Sequence, residues 1–93
     1  MTLLLKDPEA VLDYSVDWGA EYLLGDLIAQ SQWSVDPDET DGVAIVGSDF
    51  DATTSTVKAG GGSLGKLYRL VNDVVLQSGR TDRRSVVLRV ENR

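Results

Sequence analysis

Four carboxylates fall within seven residues at Asp36-Pro37-Asp38-Glu39-Thr40-Asp41-Gly42, the densest set of candidate oxygen ligands in the chain. Calcium takes about six to eight oxygens, commonly from a loop with acids at fixed offsets. An EF-hand reading fails here, because Thr40 stands where the fifth-position acid belongs and Gly47 where the bidentate glutamate belongs. The segment therefore reads as a solvated acidic turn with no metal. The same carboxylates would serve as an acid/base pair only in a cleft that raised one pKa, and the surrounding residues suggest none.

Two other groups of residues have chemical potential. The run Gly60-Gly61-Gly62-Ser63-Leu64-Gly65 is glycine-rich. It lies between two strand patterns and lacks both a following helix start and a Gly-Lys-Ser/Thr sequence, so it is a connection and not a phosphate cradle. Arg80, Arg83 and Arg84 sit together near the last turn, where guanidinium forks suit carboxylates on another chain. The chain has no cysteine and no histidine, which removes thiolate and imidazole ligands, disulfides and the commonest general base. The expectation is a non-enzymatic protein with no cofactor.

The elements that must position these groups are strands. Leu12, Tyr14, Val16 and Trp18 alternate with Asp13, Ser15 and Asp17, giving one apolar and one acidic face. Leu27, Ala29, Ser31, Trp33 and Val35 form the expected inner set of a second strand, which the Asp-Pro-Asp turn ends. A third strand covers residues 43–50. A fourth covers 54–59, with Ser55, Val57 and Ala59 inward. The longest runs from Leu67 to Gln77 and puts Tyr68, Leu70, Asn72, Val74 and Leu76 on one face; the last turns Val86, Leu88 and Val90 inward. A seventh, short edge strand is expected from Leu3 to Leu5 or from Glu21 to Leu24.

Strand runs every 10 to 15 residues without an intervening helix predict an all-β, immunoglobulin-like antiparallel sandwich of six to seven strands. Residues 1–93 form one domain, with residues 1–10 as an N-terminal arm, since a chain this short buries only about 60% of its unfolded surface and has room for one core. Tyr68, just past Gly65, is placed to return its hydroxyl to the loop backbone as a tyrosine corner, and Trp33 is the expected tryptophan between the sheets. Asn72 on an inner face must find hydrogen-bond partners in the loop or strand backbone.

Charge is divided along the sequence. Residues 1–51 hold twelve acids and one base, Lys6, whereas residues 52–93 hold three acids and eight bases. Either acidic and basic strands become neighbours and neutralise one another, or the domain is bipolar and docks its basic end on an acidic neighbour. A net charge of −6 with no tryptophan in a basic cluster speaks against nucleic acid. The apolar start stops at Lys6-Asp7, short of a signal-peptide core or a membrane span, so a soluble, cytoplasmically made chain is expected.

Lys6-Asp7-Pro8-Glu9-Ala10-Val11-Leu12-Asp13-Tyr14-Ser15-Val16-Asp17-Trp18, then Asp26-Leu27-Ile28 and Ser31-Gln32-Trp33-Ser34-Val35, resembles the opening of the small phage proteins called fiber-tail adaptors. Residues 53–58, the glycine run, Leu67-Tyr68-Arg69-Leu70-Val71-Asn72 and Ser78-Gly79-Arg80-Thr81-Asp82-Arg83-Arg84-Ser85 continue that pattern in order. The acidic stretch 37–41 departs from it, where a shorter and less acidic turn is expected. The resemblance implies a virion structural protein at the tail or head-tail junction. Such a protein is present in many copies and joins a connector ring to tail fibers or neighbouring subunits. The candidate contact residues are Leu3, Leu4 and Leu5 of the arm, Asp36, Asp38 and Asp41 of the acidic loop, and Arg80, Arg83 and Arg84. The alternative is a free-standing immunoglobulin-like module for adhesion or carbohydrate binding, which exposed aromatic side chains would favour.

Overall fold

The computed structural model describes residues 2–19 and 25–91, with side chains from residue 4 onward. Seven strands alternate with turns: β1 (Thr2–Lys6), β2 (Leu12–Asp17), β3 (Ile28–Asp36), β4 (Val43–Phe50), β5 (Thr54–Gly61), β6 (Leu67–Leu76) and β7 (Thr81–Val90). They form a four-stranded sheet in the order β1-β7-β6-β3 and a three-stranded sheet in the order β2-β5-β4. This is an immunoglobulin-like sandwich, with the third, sixth and seventh strands in one sheet and the second and fifth in the other. All pairings are antiparallel except that of β1, which runs parallel to β7.

Residues 2–6 of the expected arm are thus a paired edge strand, the seventh strand expected there. The other candidate segment, Glu21 to Leu24, lies outside the described residues. Alternation holds along β5 and β6, where Ser55, Val57 and Ala59, and then Tyr68, Leu70, Asn72, Val74 and Leu76, are all buried.

It fails at the start of β3. The register with β6 shifts between Ile28 and Gln30, so Ala29 is an inserted, exposed residue and Ile28, not Leu27, enters the core. A one-residue bulge exchanges the two faces, which strict alternation through the segment cannot anticipate.

Both tryptophans lie between the sheets. Trp33 on β3 is buried as expected, but Trp18, just past β2, is fully inaccessible and the deeper of the two. Each carries an N–H that must be satisfied inside, and the polar residues around them do so.

Charge follows strand pairing. β2 and β3 come from the acidic half of the chain and pair with β5 and β6 from the basic half. The register accordingly sets Asp13 opposite Lys58, Asp36 opposite Arg69, and, within the β6–β7 hairpin, Asp73 opposite Arg83. Acidic and basic strands thus become neighbours, while the ion pairs that join the two halves of the sequence close outside these ladders, at Lys66–Glu39 and Arg80–Asp26.

Candidate functional site

The interior is linked by a chain of polar contacts. Trp18 Nε1 donates to Asn72 Oδ1 at 2.9 Å, and Asn72 Nδ2 donates to Ser31 Oγ at 2.9 Å and to the Gln32 carbonyl at 3.2 Å. Ser31 and Ser55 share a hydroxyl hydrogen bond of 2.6 Å, and Trp33 Nε1 donates to Ser55 Oγ at 2.8 Å. Asn72 therefore uses both amide protons and its oxygen, on two side chains as well as on strand backbone. The network crosses from β6 and β3 to β5 and to the residue after β2, fixing the two sheets relative to each other.

One end of the sandwich is built around Tyr68. Its hydroxyl accepts the Ser63 N–H at 3.0 Å and donates to Glu39 Oε1 at 2.9 Å. Lys66 Nζ reaches both Glu39 oxygens at 3.1 and 3.2 Å, and Ser63 Oγ donates to the Asp41 carbonyl at 3.1 Å. The Tyr68 hydroxyl, and then Lys66, hold the Glu39 carboxyl below the usual glutamate range. The acidic loop is thereby tied to the glycine connection through Glu39, while Asp36, Asp38 and Asp41 stay exposed. Among the described residues no three carboxylates converge to hold a metal ion.

Lys6 closes the same end. Its side chain is inaccessible to solvent, and Nζ donates to the Gly61 carbonyl at 2.6 Å and the Asp7 carbonyl at 2.9 Å. Burial pushes its pKa below the usual lysine range, and the Asp7 charge opposes part of that shift. The sequence carries no sign of this, since a lysine ending an apolar run reads as a surface charge.

The opposite end carries the β6–β7 turn. Asp26 accepts hydrogen bonds from the Ser78 hydroxyl and, at 3.3 Å, from the Ser78 N–H, and it faces Arg80 at 3.8 Å. The Ser78 hydroxyl is the main reason that the Asp26 carboxyl lies below the usual aspartate range. This clamp between the β2–β3 connection and the last turn joins residues 52 apart, and nothing local in the sequence announces it.

The three arginines differ in setting. Arg80 is exposed in the turn, whereas Arg83 and Arg84 lie within β7. Arg83 Nε bonds Asp73 Oδ1 at 2.6 Å. Arg84 stacks over the Trp18 ring, 5.5 Å from its centroid. Each thus has a partner inside the chain, so they are not a uniform free cluster. The acidic loop and Arg80 stand at opposite ends of β6, roughly 30 Å apart at about 3.3 Å per residue. Of the apolar arm, Leu4 packs on the core and Leu5 is exposed; the Leu3 side chain is outside the described set.

A family model of the podophage GP4 fiber-tail adaptor protein gp77 matches residues 6–89. The chain belongs to that family. No curated protein matches it. Membership makes the chain a phage structural adaptor and a component of the virion, and the matched region includes every element from β2 to β6 and nearly all of β7. No helix among the described residues is long and apolar enough to cross a membrane.

Proposed function

We propose that this adaptor works by binding alone, joining a tail or head-tail connector ring to tail fibers or to neighbouring structural subunits, in many copies around the symmetric assembly. The observation that carries the reading is the separation of two unlike surfaces on one cross-braced sandwich. Exposed Asp36, Asp38 and Asp41 lie at one end, and exposed Arg80 lies at the other with Arg83 along the neighbouring strand. A polar network spanning both sheets suits a part that holds two partners at a set distance. The acidic end suits lysine and arginine on one partner, and the other end, where Arg80 and Arg83 lie among Asp26, Asp51, Asp73 and Asp82, offers charges of both signs to a second. Catalysis has no part in this reading, since the sequence has neither histidine nor cysteine. The chain is made in the host cytoplasm and incorporated as the particle assembles.

The adhesion alternative is the weaker reading, because Trp18 and Trp33 are both buried and committed to internal hydrogen bonds, which leaves Phe50 as the exposed aromatic side chain among the described residues. Carboxyl-to-amine cross-linking of intact particles, read by mass spectrometry, tests the bridging arrangement. Links from Asp36, Asp38 or Asp41 to one virion protein and from Asp51 or Asp82 near the opposite end to a different one are expected. Links from both ends to one and the same partner would refute it.

A further inference from the structure

The two long sides of the sandwich differ in how their strand edges are protected. Along one side β3 and β4 pack against each other, and each carries an irregularity of register, at Ile28/Gln30 and Ile45/Gly47. Bulges and mutual cover are ordinary ways to blunt an edge. Along the other side lie β1 and β2, which end their respective sheets. β2 presents exposed Asp13, Ser15 and Asp17, a charged edge. β1 pairs with β7 in unbroken register, and its only charge, Lys6, is turned inward and buried.

The orientation of β1 follows from one hydrogen bond. Glu91 donates its N–H to the Lys6 carbonyl at 2.9 Å, so Lys6 presents its backbone polar groups to β7. Successive residues of an extended strand present theirs to opposite sides, which leaves the N–H and C=O of Leu3 and Leu5 facing away from the sheet. The Leu5 side chain is 42% exposed beside them. Carboxylates gather along this side: Glu9, Asp13 and Asp17 are exposed and Asp7 is half-buried.

We propose that the outer edge of β1 receives an extended apolar segment of a neighbouring virion protein, flanked by lysine or arginine, as a fifth strand of the four-stranded sheet. The proposal rests on the adaptor reading and names the chemistry of one partner. Outward-facing backbone groups at alternate residues, without a partner among the described residues, specify an extended strand, because only a strand supplies donors and acceptors at that spacing. The surrounding carboxylates specify the basic flanks. A second copy of this chain is a poor occupant, since its own β1 would bring Asp7 and Glu9 against the same acidic side.

Proline at position 5 separates backbone pairing from side-chain contact. Leu5→Pro removes an N–H that makes no bond to β7, and an edge strand tolerates proline where that N–H faces solvent. Leu5→Ala keeps the N–H. Particles are assembled with each variant in place of the wild-type chain, and incorporation is measured by quantitative mass spectrometry. Leu5→Pro is expected to melt close to wild type and to lower incorporation by about tenfold or more, the scale of a lost edge hydrogen bond with the added ring clash, while Leu5→Ala incorporates nearly normally.

Normal incorporation of Leu5→Pro, or equal losses for both variants, would overturn the strand-addition proposal and leave the adaptor reading standing. Should Leu5→Pro fail to fold, amide exchange in wild-type particles decides: the Leu3 and Leu5 amides are protected relative to the free chain if the edge is covered by a strand, and a lack of protection overturns it. Glu9→Lys with Asp13→Lys lowers incorporation if the partner's flanks are basic; unchanged or raised incorporation overturns that part. Sedimentation of the free chain distinguishes self-pairing, because a dimer abolished by Leu5→Pro would replace the partner with a second copy and overturn the proposal.

Discussion

Asn72 on β6 accepts the indole N–H of Trp18 at 2.9 Å, so the most buried tryptophan is held by an amide on the opposite sheet. Asn72→Ala strands that N–H, an acceptor at Ser31 and the Gln32 carbonyl in the interior. Buried polar groups without partners cost about 1–3 kcal/mol each when they cannot reach water, and part of that is relieved by relaxation. A loss of about 2–4 kcal/mol is expected in urea unfolding followed by tryptophan fluorescence. Ser55→Ala should cost less, about 1–3 kcal/mol, since it strands the Trp33 N–H while Ser31 retains Asn72 as its partner.

Tyr68→Phe removes the hydroxyl that joins Ser63 to Glu39, with an expected cost of about 1 kcal/mol for the two partly buried hydrogen bonds. It also changes the acid limb of the stability curve. Glu39 has a folded pKa below its ordinary 4.5, so its contribution is present above that value and is lost as pH falls through the lower folded pKa. Without Tyr68, the largest cause of the shift is gone and the folded pKa rises toward 4.5, so less stability is lost on acidification. Melting temperatures below pH 4.5 for wild type and Tyr68→Phe check the sign: the gap between them should narrow as the pH falls.

Gly62 has φ +115°, and an added Cβ would stand 2.7 Å from Val90 Cγ2 and 3.0 Å from Val43 Cγ2. Gly62→Ala therefore combines backbone strain with a clash in the core and should cost about 2–4 kcal/mol. At Gly47 the same added carbon meets nothing within 4 Å and φ is not in the left-handed region. Gly47→Ala should be neutral or slightly stabilising in the same thermal melt.

Arg83→Glu and Arg84→Glu should separate, although both look alike in the sequence. Arg83 makes an exposed pair with Asp73, and solvent screening leaves such surface pairs little weight in stability. Arg84 holds its guanidinium over the ring of Trp18, where a cation contributes about 0.5–2 kcal/mol. The melt of Arg84→Glu should fall further than that of Arg83→Glu, with a shift in tryptophan emission that the latter lacks.

These cases mark how far the sequence could be read. The inner faces of β5 and β6 follow alternation because neither strand is interrupted along that face, and Tyr68 and Asn72 were legible there by residue type. The face of Leu27 and Ile28 was not, because a bulge is a property of the pair of strands and not of one of them. The parallel pairing of β1 with β7 joins the two ends of the chain, and no local pattern specifies it. The candidate contact residues were legible as charges, but the Asp73 and Trp18 partners of Arg83 and Arg84 depend on hairpin register and on the packing between the sheets.

The central claim is the proposed role of this adaptor in joining fibers to the particle, and the direct measurement is the number of fibers on particles assembled without it. Electron microscopy of such particles should show assembled heads and tails lacking fibers, with fibers restored when the wild-type chain is supplied. Particles bearing their full complement of fibers in its absence would contradict the account.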